Sequence, residues 1–282
     1  MIVLHQRFEI ESYILNLQKS QKSIGFVPTM GALHAGHISL VDKSLQQNDC
    51  TIVSIFVNPT QFNNLDDLAK YPRTLDSDLA MLEKSKCDAV FVPEVHEMYP
   101  EGTEIQESYN FGSLETVMEG AFRPGHFKGV ASIVRRLFDI VQPTRAYFGL
   151  KDYQQLAIIT SLVSQYHLPV QIIPCDVVRE PDGLAMSSRN VRLLPDERKQ
   201  AALISQTLFA AKDQKVSKTV EEIKKNVIDT IKSVPLLSLE YFEIVDGTTL
   251  QSITNWSDSK KPVGCIAVHV GAVRLIDIIM FY

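Results

Sequence analysis

The chain has 282 residues, 45% of them hydrophobic and 22% charged, with a formal net charge of -5 at pH 7. That composition suits a soluble globular protein with room for one large or two moderate domains, and its acidic balance argues against a broad nucleic-acid surface while allowing a local cationic pocket. No apolar run is long enough to span a bilayer, and Cys50, Cys87, Cys175 and Cys265 form no C-x-x-C pair, which speaks against a zinc ribbon or a thioredoxin-like site.

The N-terminus reaches Arg7, Glu9 and Glu11 after only a few apolar residues, too few for the core of a signal peptide. A cytoplasmic protein with reduced thiols is expected. The first clear strand is the apolar run 23–28. Directly after it come Met30-Gly31-Ala32-Leu33-His34-Ala35-Gly36-His37, and then helical spacing over 38–47. Small residues at Gly31, Ala32, Ala35 and Gly36 let the backbone approach a ligand, and the first helical turn offers N–H groups to an anion. His34 and His37, three residues apart, share one helix face. Two imidazoles at a strand-to-helix turn suit a triphosphate; a zinc site would need Cys, Asp or Glu in the loop, and the loop has none.

A second strand, 51–57, runs into Asn58-Pro59-Thr60-Gln61-Phe62. Helical spacing over 75–86 carries Asp76 and Asp78 in its first turn, where carboxylates either cap a helix or serve a magnesium ion held mainly by phosphates; Asp78 is the residue taken for the metal. A strand at 89–93 and a helix at 129–141 follow, and then the short apolar run Ala146-Tyr147-Phe148 leads into Gly149-Leu150-Lys151-Asp152-Tyr153-Gln154-Gln155. An amphipathic helix over 155–166 and a strand over 170–175 complete an alternating pattern. Such alternation predicts an α/β fold, a Rossmann-like parallel sheet with helices on both faces, whose ligands bind in loops after strand C-terminal ends.

Composition shifts after Cys175. Helical text rich in Lys, Glu, Gln and Ala covers 195–234, and strands around turns are read at 239–245 and 264–279. The expected organisation is a Rossmann-like nucleotide-binding domain at 1–176 and a smaller C-terminal α+β domain at 177–282 that serves as a lid. Near the junction, Met186-Ser187-Ser188-Arg189-Asn190 places two hydroxyls beside a guanidinium, a set of phosphate donors that is also a common surface turn. The preceding Pro181, Asp182 and Gly183 favour a turn, which suits a hinge.

These segments together resemble the pantothenate synthetase family of the class I nucleotidyltransferase (HxGH) superfamily. His34-Ala35-Gly36-His37 is similar to the superfamily signature and Met186-Ser187-Ser188-Arg189 to its second phosphate-binding motif. Residues 28–37, 58–62, 148–155 and 179–190, with Arg123-Pro124-Gly125-His126-Phe127-Lys128-Gly129-Val130, match the narrower family in order. The resemblance implies ATP-dependent condensation of (R)-pantoate with β-alanine to pantothenate, AMP and pyrophosphate through pantoyl adenylate, with Mg²⁺ accompanying ATP and a homodimeric assembly. It implies catalytic roles for His34, His37, Lys151 and Arg189. ATP contacts are implied for Met30, Gly31, Ala32, Leu33, His34, Ala35, Gly36, His37, Gly149, Leu150, Lys151, Asp152, Val178, Met186, Ser187, Ser188 and Arg189. Pantoate falls to Gln61 and Gln155, and β-alanine to Gln61. His126 and Lys128 either line the pantoate side or shape a loop. The competing readings are a nucleotidyltransferase of the same superfamily acting on a phosphorylated acceptor, which would keep the nucleotidyl group in its product, and a silent nucleotide-binding regulator. No nucleic-acid or membrane partner is expected.

Overall fold

In chain order the elements are β1 (Ile2–Leu4), α1 (Arg7–Lys19), β2 (Ile24–Thr29), α2 (Ala35–Gln47), β3 (Cys50–Ile55), α3 (Leu65–Ala69), α4 (Leu75–Lys84), β4 (Ala89–Phe91), α5 (Val95–Met98), α6 (Met118–Phe122), α7 (His126–Val141), β5 (Arg145–Gly149), α8 (Tyr153–Gln165), β6 (Gln171–Cys175), α9 (Pro195–Asp213), α10 (Val220–Lys232), β7 (Leu237–Asp246), β8 (Pro262–Val270) and β9 (Val273–Met280). They come from a computed structural model that describes residues 1–282, the Leu65 side chain excepted. The chain divides into two compact units, one of Met1–Phe111, Arg123–Gly149 and Gln155–Cys175, the other of Gly112–Phe122, Leu150–Gln154 and Asp176–Tyr282.

The first unit holds a six-stranded sheet in the order β1-β4-β3-β2-β5-β6, with every pairing parallel. Its central strands read as continuous apolar runs because both faces are covered. Val27 and Val53 point into a cluster with Val41 of α2 and Leu82 of α4. Their neighbour Phe26 faces the opposite way and meets Phe138 of α7 edge-on at 6.4 Å, and Phe138 in turn meets Phe148 of β5 at 6.5 Å. Each such buried side chain stabilises by about 1.5–3 kcal/mol, so both layers of helices are tied to the sheet. Strand order reverses at β2: β3 and β4 lie to one side, β5 and β6 to the other. A reversal of this kind opens a crevice beyond the C-terminal ends of the two central strands, and the turn leaving β2 lies there.

The sequence reading placed no element ahead of residue 23, although Ile10, Ile14 and Leu17, spaced along one helix face, form the buried stripe of α1. β1 has three residues, too few for a period-2 pattern, and is specified by its parallel pairing with β4. α1 starts where the Glu9 carboxylate accepts the Gln6 amide at 2.9 Å. Helix α2 begins at Ala35, three residues ahead of the apolar pattern, which makes His34 its N-cap.

The second unit carries an antiparallel sheet β7-β8-β9 under α9 and α10. Val220, Ile223, Val227 and Ile231 form the buried stripe of α10, packed with Leu208, Phe242, Ile266 and Val268. The helical text at 195–234 breaks into two helices because Thr219 caps α10: its Oγ1 accepts the Glu222 amide at 3.2 Å while the Glu222 carboxylate accepts the Thr219 amide at 2.8 Å. The segment Gly112–Phe122 is fastened to this unit by two buried residues. Gln154 accepts the Glu119 amide at 2.9 Å and donates to the carbonyls of Leu114 (2.7 Å) and Val117 (2.8 Å). Glu119 takes two bonds from Arg274, at 2.9 and 2.7 Å, and one from the Tyr241 hydroxyl at 2.7 Å. Burial and the Glu119 charge push the Tyr241 phenol well above its usual value.

All four cysteines are free and buried. Burial pushes the thiols of Cys87 and Cys265 up to about 12, so they are poor nucleophiles and serve as packing. Among the described residues, no helix is long and apolar enough to cross a membrane.

Candidate active site

Between β2 and α2 the backbone takes two successive left-handed steps, at Gly31 (φ 77°) and Ala32 (φ 50°). Glycine accepts that conformation freely; a Cβ at position 31 would lie 3.1 Å from both Asp78 Oδ2 and Ile55 Cγ2. Ala32 adopts it at a cost of about 1 kcal/mol. Asp78 of α4 offsets the cost. Its Oδ2 accepts the Ala32 amide at 2.9 Å and its Oδ1 the Leu33 amide at 2.8 Å, and the Thr74 hydroxyl donates to Oδ1 at 3.1 Å. Asp78 is only 2% exposed.

The two histidines cap the helix with their own rings. His34 Nδ1 accepts the Gly36 amide at 3.1 Å, and His37 Nδ1 accepts the His34 amide at 3.3 Å. A ring nitrogen that accepts carries no proton, so in each neutral imidazole the proton sits on Nε2. The rings lie 4.1 Å apart between centroids, presenting two N–H donors side by side. The sequence reading expected backbone amides of this turn to face the anion. Here Gly31 N donates to Thr29 Oγ1 (3.2 Å), Ala32 and Leu33 to Asp78, and His34 and Gly36 to imidazoles. These five amides are thus engaged within the protein, and the two imidazoles place their Nε2–H groups beside them.

Gln61 closes a short 3-10 turn, Pro59–Gln61, after β3 and is buried. The amide orientation of Gln61 follows from its neighbours. Tyr99 donates its hydroxyl to Asn58 Oδ1 at 2.8 Å, and Asn58 Nδ2 then donates to Gln61 Oε1 at 3.1 Å and to the Gly129 carbonyl at 3.2 Å. With its oxygen engaged, Gln61 turns its Nε2 toward Met30 Sδ at 3.2 Å. Thioether sulfur is a weak acceptor, so that donor is held only weakly. His126 donates from Nδ1 to the Gln61 carbonyl at 2.8 Å and accepts from Arg123 at Nε2, 3.2 Å, the opposite tautomer to His34 and His37. His126 thus shapes the Gln61 turn, while Lys128 is exposed. Gly129 lets α7 lie against that turn: a Cβ there would sit 2.4 Å from the Thr60 carbonyl oxygen.

Other residues singled out from the sequence lie in the second unit. Lys151 and Asp152 lie on the 3-10 turn Leu150–Asp152, with Lys151 Nζ 3.5 Å from Asp152 Oδ2. Residues 178–186 form a small hairpin: Met186 N donates to the Val178 carbonyl at 3.0 Å, Arg179 bridges Ala185, and Glu180 N donates to the Leu184 carbonyl at 2.8 Å. Arg179 anchors the hairpin through a bidentate pair with buried Asp277, at 2.7 and 2.9 Å. The Arg198 guanidinium beside Asp182 at its tip holds that carboxyl below the usual range. Leaving the hairpin, Ser187 Oγ accepts the Arg189 amide at 3.2 Å and the Ser187 carbonyl accepts the Asn190 amide at 3.0 Å, which folds Met186, Ser187, Ser188 and Arg189 into one half-buried turn.

Met30 through His37, Gln61 and Asp78 are thus gathered in the first unit, and Leu150, Lys151, Asp152, Val178 and Met186 through Arg189 belong to the second. Gly149 ends β5, and Gln155 is half-buried in the first turn of α8. Its neighbour Gln154 is the buried amide, and its bonds are structural. Sequence reasoning assigned no role to Tyr99 or Gly129, whose partners Asn58 and Thr60 lie far along the chain, or to Thr74, whose partner Asp78 is only four residues away. For a metal, the donor set is poor: among the described residues no cluster of three His, Cys, Asp or Glu side chains could hold an ion, Asp76 is exposed, and both oxygens of Asp78 already accept loop amides.

Comparison with known proteins gives a consistent result. A sequence model of the family described as pantoate-beta-alanine ligase matches residues 2–280. The chain is similar to a pantothenate synthetase of Phocaeicola vulgatus, 57% identical over 274 residues and covering 97% of this chain and 96% of that protein. It is also similar to one of Bacteroides fragilis, 54% identical over 281 residues, covering 100% and 99%. A crystal structure of pantothenate synthetase from Thermus thermophilus matches with a TM-score of 0.94 at 39% identity, covering 100% of both chains. A pantoate-beta-alanine ligase from Francisella tularensis, complexed with beta-gamma ATP and beta-alanine, matches at 0.83 and 36%, covering 100% of this chain and 98% of that one.

Proposed function

We propose, from the premise that the chain belongs to the pantoate-beta-alanine ligase family, that it condenses pantoate with β-alanine at the expense of ATP. The reaction runs in two steps. The pantoate carboxylate attacks the α-phosphorus of ATP, expelling pyrophosphate and forming pantoyl adenylate; the amine of β-alanine then attacks the acyl carbon, expelling AMP and leaving pantothenate. The observation that carries this reading is the pair of imidazoles whose protons are held on Nε2 by bonds at Nδ1.

A carboxylate nucleophile is ionised near neutral pH, so the first step needs positioning and charge stabilisation more than a base. Negative charge grows on the α-phosphate oxygens and on the departing pyrophosphate. His34 and His37 donate there through Nε2–H, and Lys151, Ser187, Ser188 and Arg189 add cationic and hydroxyl donors. Gln61 donates through Nε2 to an oxygen of pantoate or of β-alanine, and Gln155 is assigned to pantoate. Met30, Gly31, Ala32, Leu33, Ala35, Gly36, Gly149, Leu150, Asp152, Val178 and Met186 complete the ATP contacts. Mg²⁺ would enter with the triphosphate and would offset its charge, since the described residues form no cage of their own for the ion. The reading also includes domains at 1–176 and 177–282, a cytoplasmic location and a homodimer. If the second domain works as a lid, amide exchange over 178–192 slows when a non-hydrolysable ATP analogue is added; unchanged exchange rules the lid out.

The direct test is a mass-resolved assay with ATP, Mg²⁺, pantoate and β-alanine, comparing wild type with His37→Ala. AMP and pantothenate appear together, depend on β-alanine, and fall by about 10²–10³-fold in the variant. Folded, ATP-binding protein that makes neither product overturns the ligase reading, and a product that retains the nucleotidyl group points to a transferase.

A further inference from the structure

We propose that Asp78 is a positioning residue that acts as a built-in anion for the β2–α2 turn, not as a ligand for magnesium. The inference rests on the reading of that turn as the ATP site. Successive backbone N–H groups in a left-handed turn form a concave nest that attracts an anion. In many phosphate sites the nest takes the phosphate. Here Gly31 and Ala32 build such a nest, with φ values of 77° and 50°, and its amides at Ala32 and Leu33 are occupied by the two oxygens of Asp78, at 2.9 and 2.8 Å. The carboxylate is supplied by α4, more than forty residues along the chain.

Three donors converge on this side chain, two amides and the Thr74 hydroxyl at 3.1 Å, and only 2% of the residue is exposed. Magnesium retains several waters and needs an open octahedral face. A carboxylate enclosed in this way offers none. The consequence reaches the imidazoles: the turn that Asp78 holds ends at His34, the N-cap of α2, whose amide donates to His37 Nδ1 while its own ring takes the Gly36 amide. Asp78 therefore acts on ATP through the two Nε2–H donors, which it aims without touching the nucleotide.

The test compares Asp78→Asn with wild type in two ways. In the nucleotide-free protein, amide exchange at Ala32 and Leu33 is followed by NMR. The asparagine keeps the shape but turns an NH2 toward one amide, so exchange there accelerates at least tenfold. In steady-state kinetics, kcat falls about tenfold to a hundredfold, as misplaced reacting groups require, while the Mg²⁺ concentration for half-maximal rate stays at the wild-type value. Recovery of the wild-type rate at high Mg²⁺ makes Asp78 a metal ligand and overturns the proposal, as does unchanged amide exchange at both residues. Should Asp78→Asn fail to fold, Thr74→Val removes one donor to Oδ1 and produces the same pattern in milder form, about twofold to fivefold; wild-type exchange and kinetics in that variant refute the lock. If wild-type protein does not bind ATP, the catalytic reading falls while the exchange arm still tests the carboxylate–amide lock.

Discussion

Gly129→Ala is the substitution whose outcome the structure constrains most tightly. In an ordinary helix interior this change stabilises by about 1 kcal/mol through backbone entropy. Here the new Cβ would lie 2.4 Å from the Thr60 carbonyl oxygen, 2.6 Å from its carbon and 2.8 Å from Gln61 Cα. All three are backbone atoms, so no side chain can rotate aside, and the contact must open by about 1.0 Å to reach the ordinary 3.4 Å. Overpacking of that kind costs about 1–3 kcal/mol. Collision with backbone belongs to the upper part of that range, so it outweighs the helix gain and leaves a net loss of about 1–2 kcal/mol, or a Tm lower by about 2–6 °C. The same shift moves Gln61, and a displacement of about 1 Å at a positioning group costs about 10²-fold in kcat/KM for pantoate. Thermal unfolding and initial-rate kinetics with pantoate and ATP varied separately read both effects, and the KM for ATP should stay unchanged. A variant with Tm at or above wild type and unaltered kcat/KM for pantoate refutes the reasoning.

Other substitutions probe the remaining contacts. Tyr99→Phe removes the 2.8 Å hydrogen bond that orients Asn58 and raises KM for pantoate about fivefold to tenfold, the worth of one neutral hydrogen bond; an equal change in KM for ATP would contradict a role confined to Gln61. His34→Ala loses a helix cap as well as a donor, so unfolding in urea shows a loss of about 1 kcal/mol beside a reduced kcat, whereas a pure rate defect would deny the capping role. For Glu240, burial alone would raise the carboxyl, but hydrogen bonds and charge from Arg274 and His269 outweigh it and hold the group below the usual carboxylate range. A lowered folded value means that its contribution to stability is present above the unfolded value near 4.3 and is lost as pH falls through the folded one. Urea unfolding of Glu240→Gln should therefore weaken less between pH 5 and 3 than that of wild type; parallel slopes would show that Glu240 is not the titrating group.

The alternation of apolar runs with helical spacing was enough to read the parallel sheet, because central strands covered on both faces must be apolar throughout. Two histidines at the end of such a strand marked the turn leaving β2 in the same way. Chemistry-bearing residues close in sequence, such as His34 with His37 or Ser187 with Arg189, are visible because their neighbours are the signal. The three residues of β1 had no such signal: that strand is specified by its parallel pairing with β4, more than eighty residues away.

Sequence pattern alone carries the layer architecture, the strand-to-helix turn that holds His34 and His37, and the family through motifs in fixed order. The internal hydrogen bonds of that turn and its neighbours are visible only in the folded chain. Folding placed the Asp78 carboxylate in the backbone nest at Ala32 and Leu33, set the imidazole protons of His34 and His37 on Nε2, and passed the orientation of the Gln61 amide from Tyr99 through Asn58. Propensity and periodicity report which residues share a face, whereas the direction of a hydrogen bond depends on three-dimensional geometry, whether the partner is three residues away, as for His34 and His37, or more than forty, as for Asp78 and Ala32.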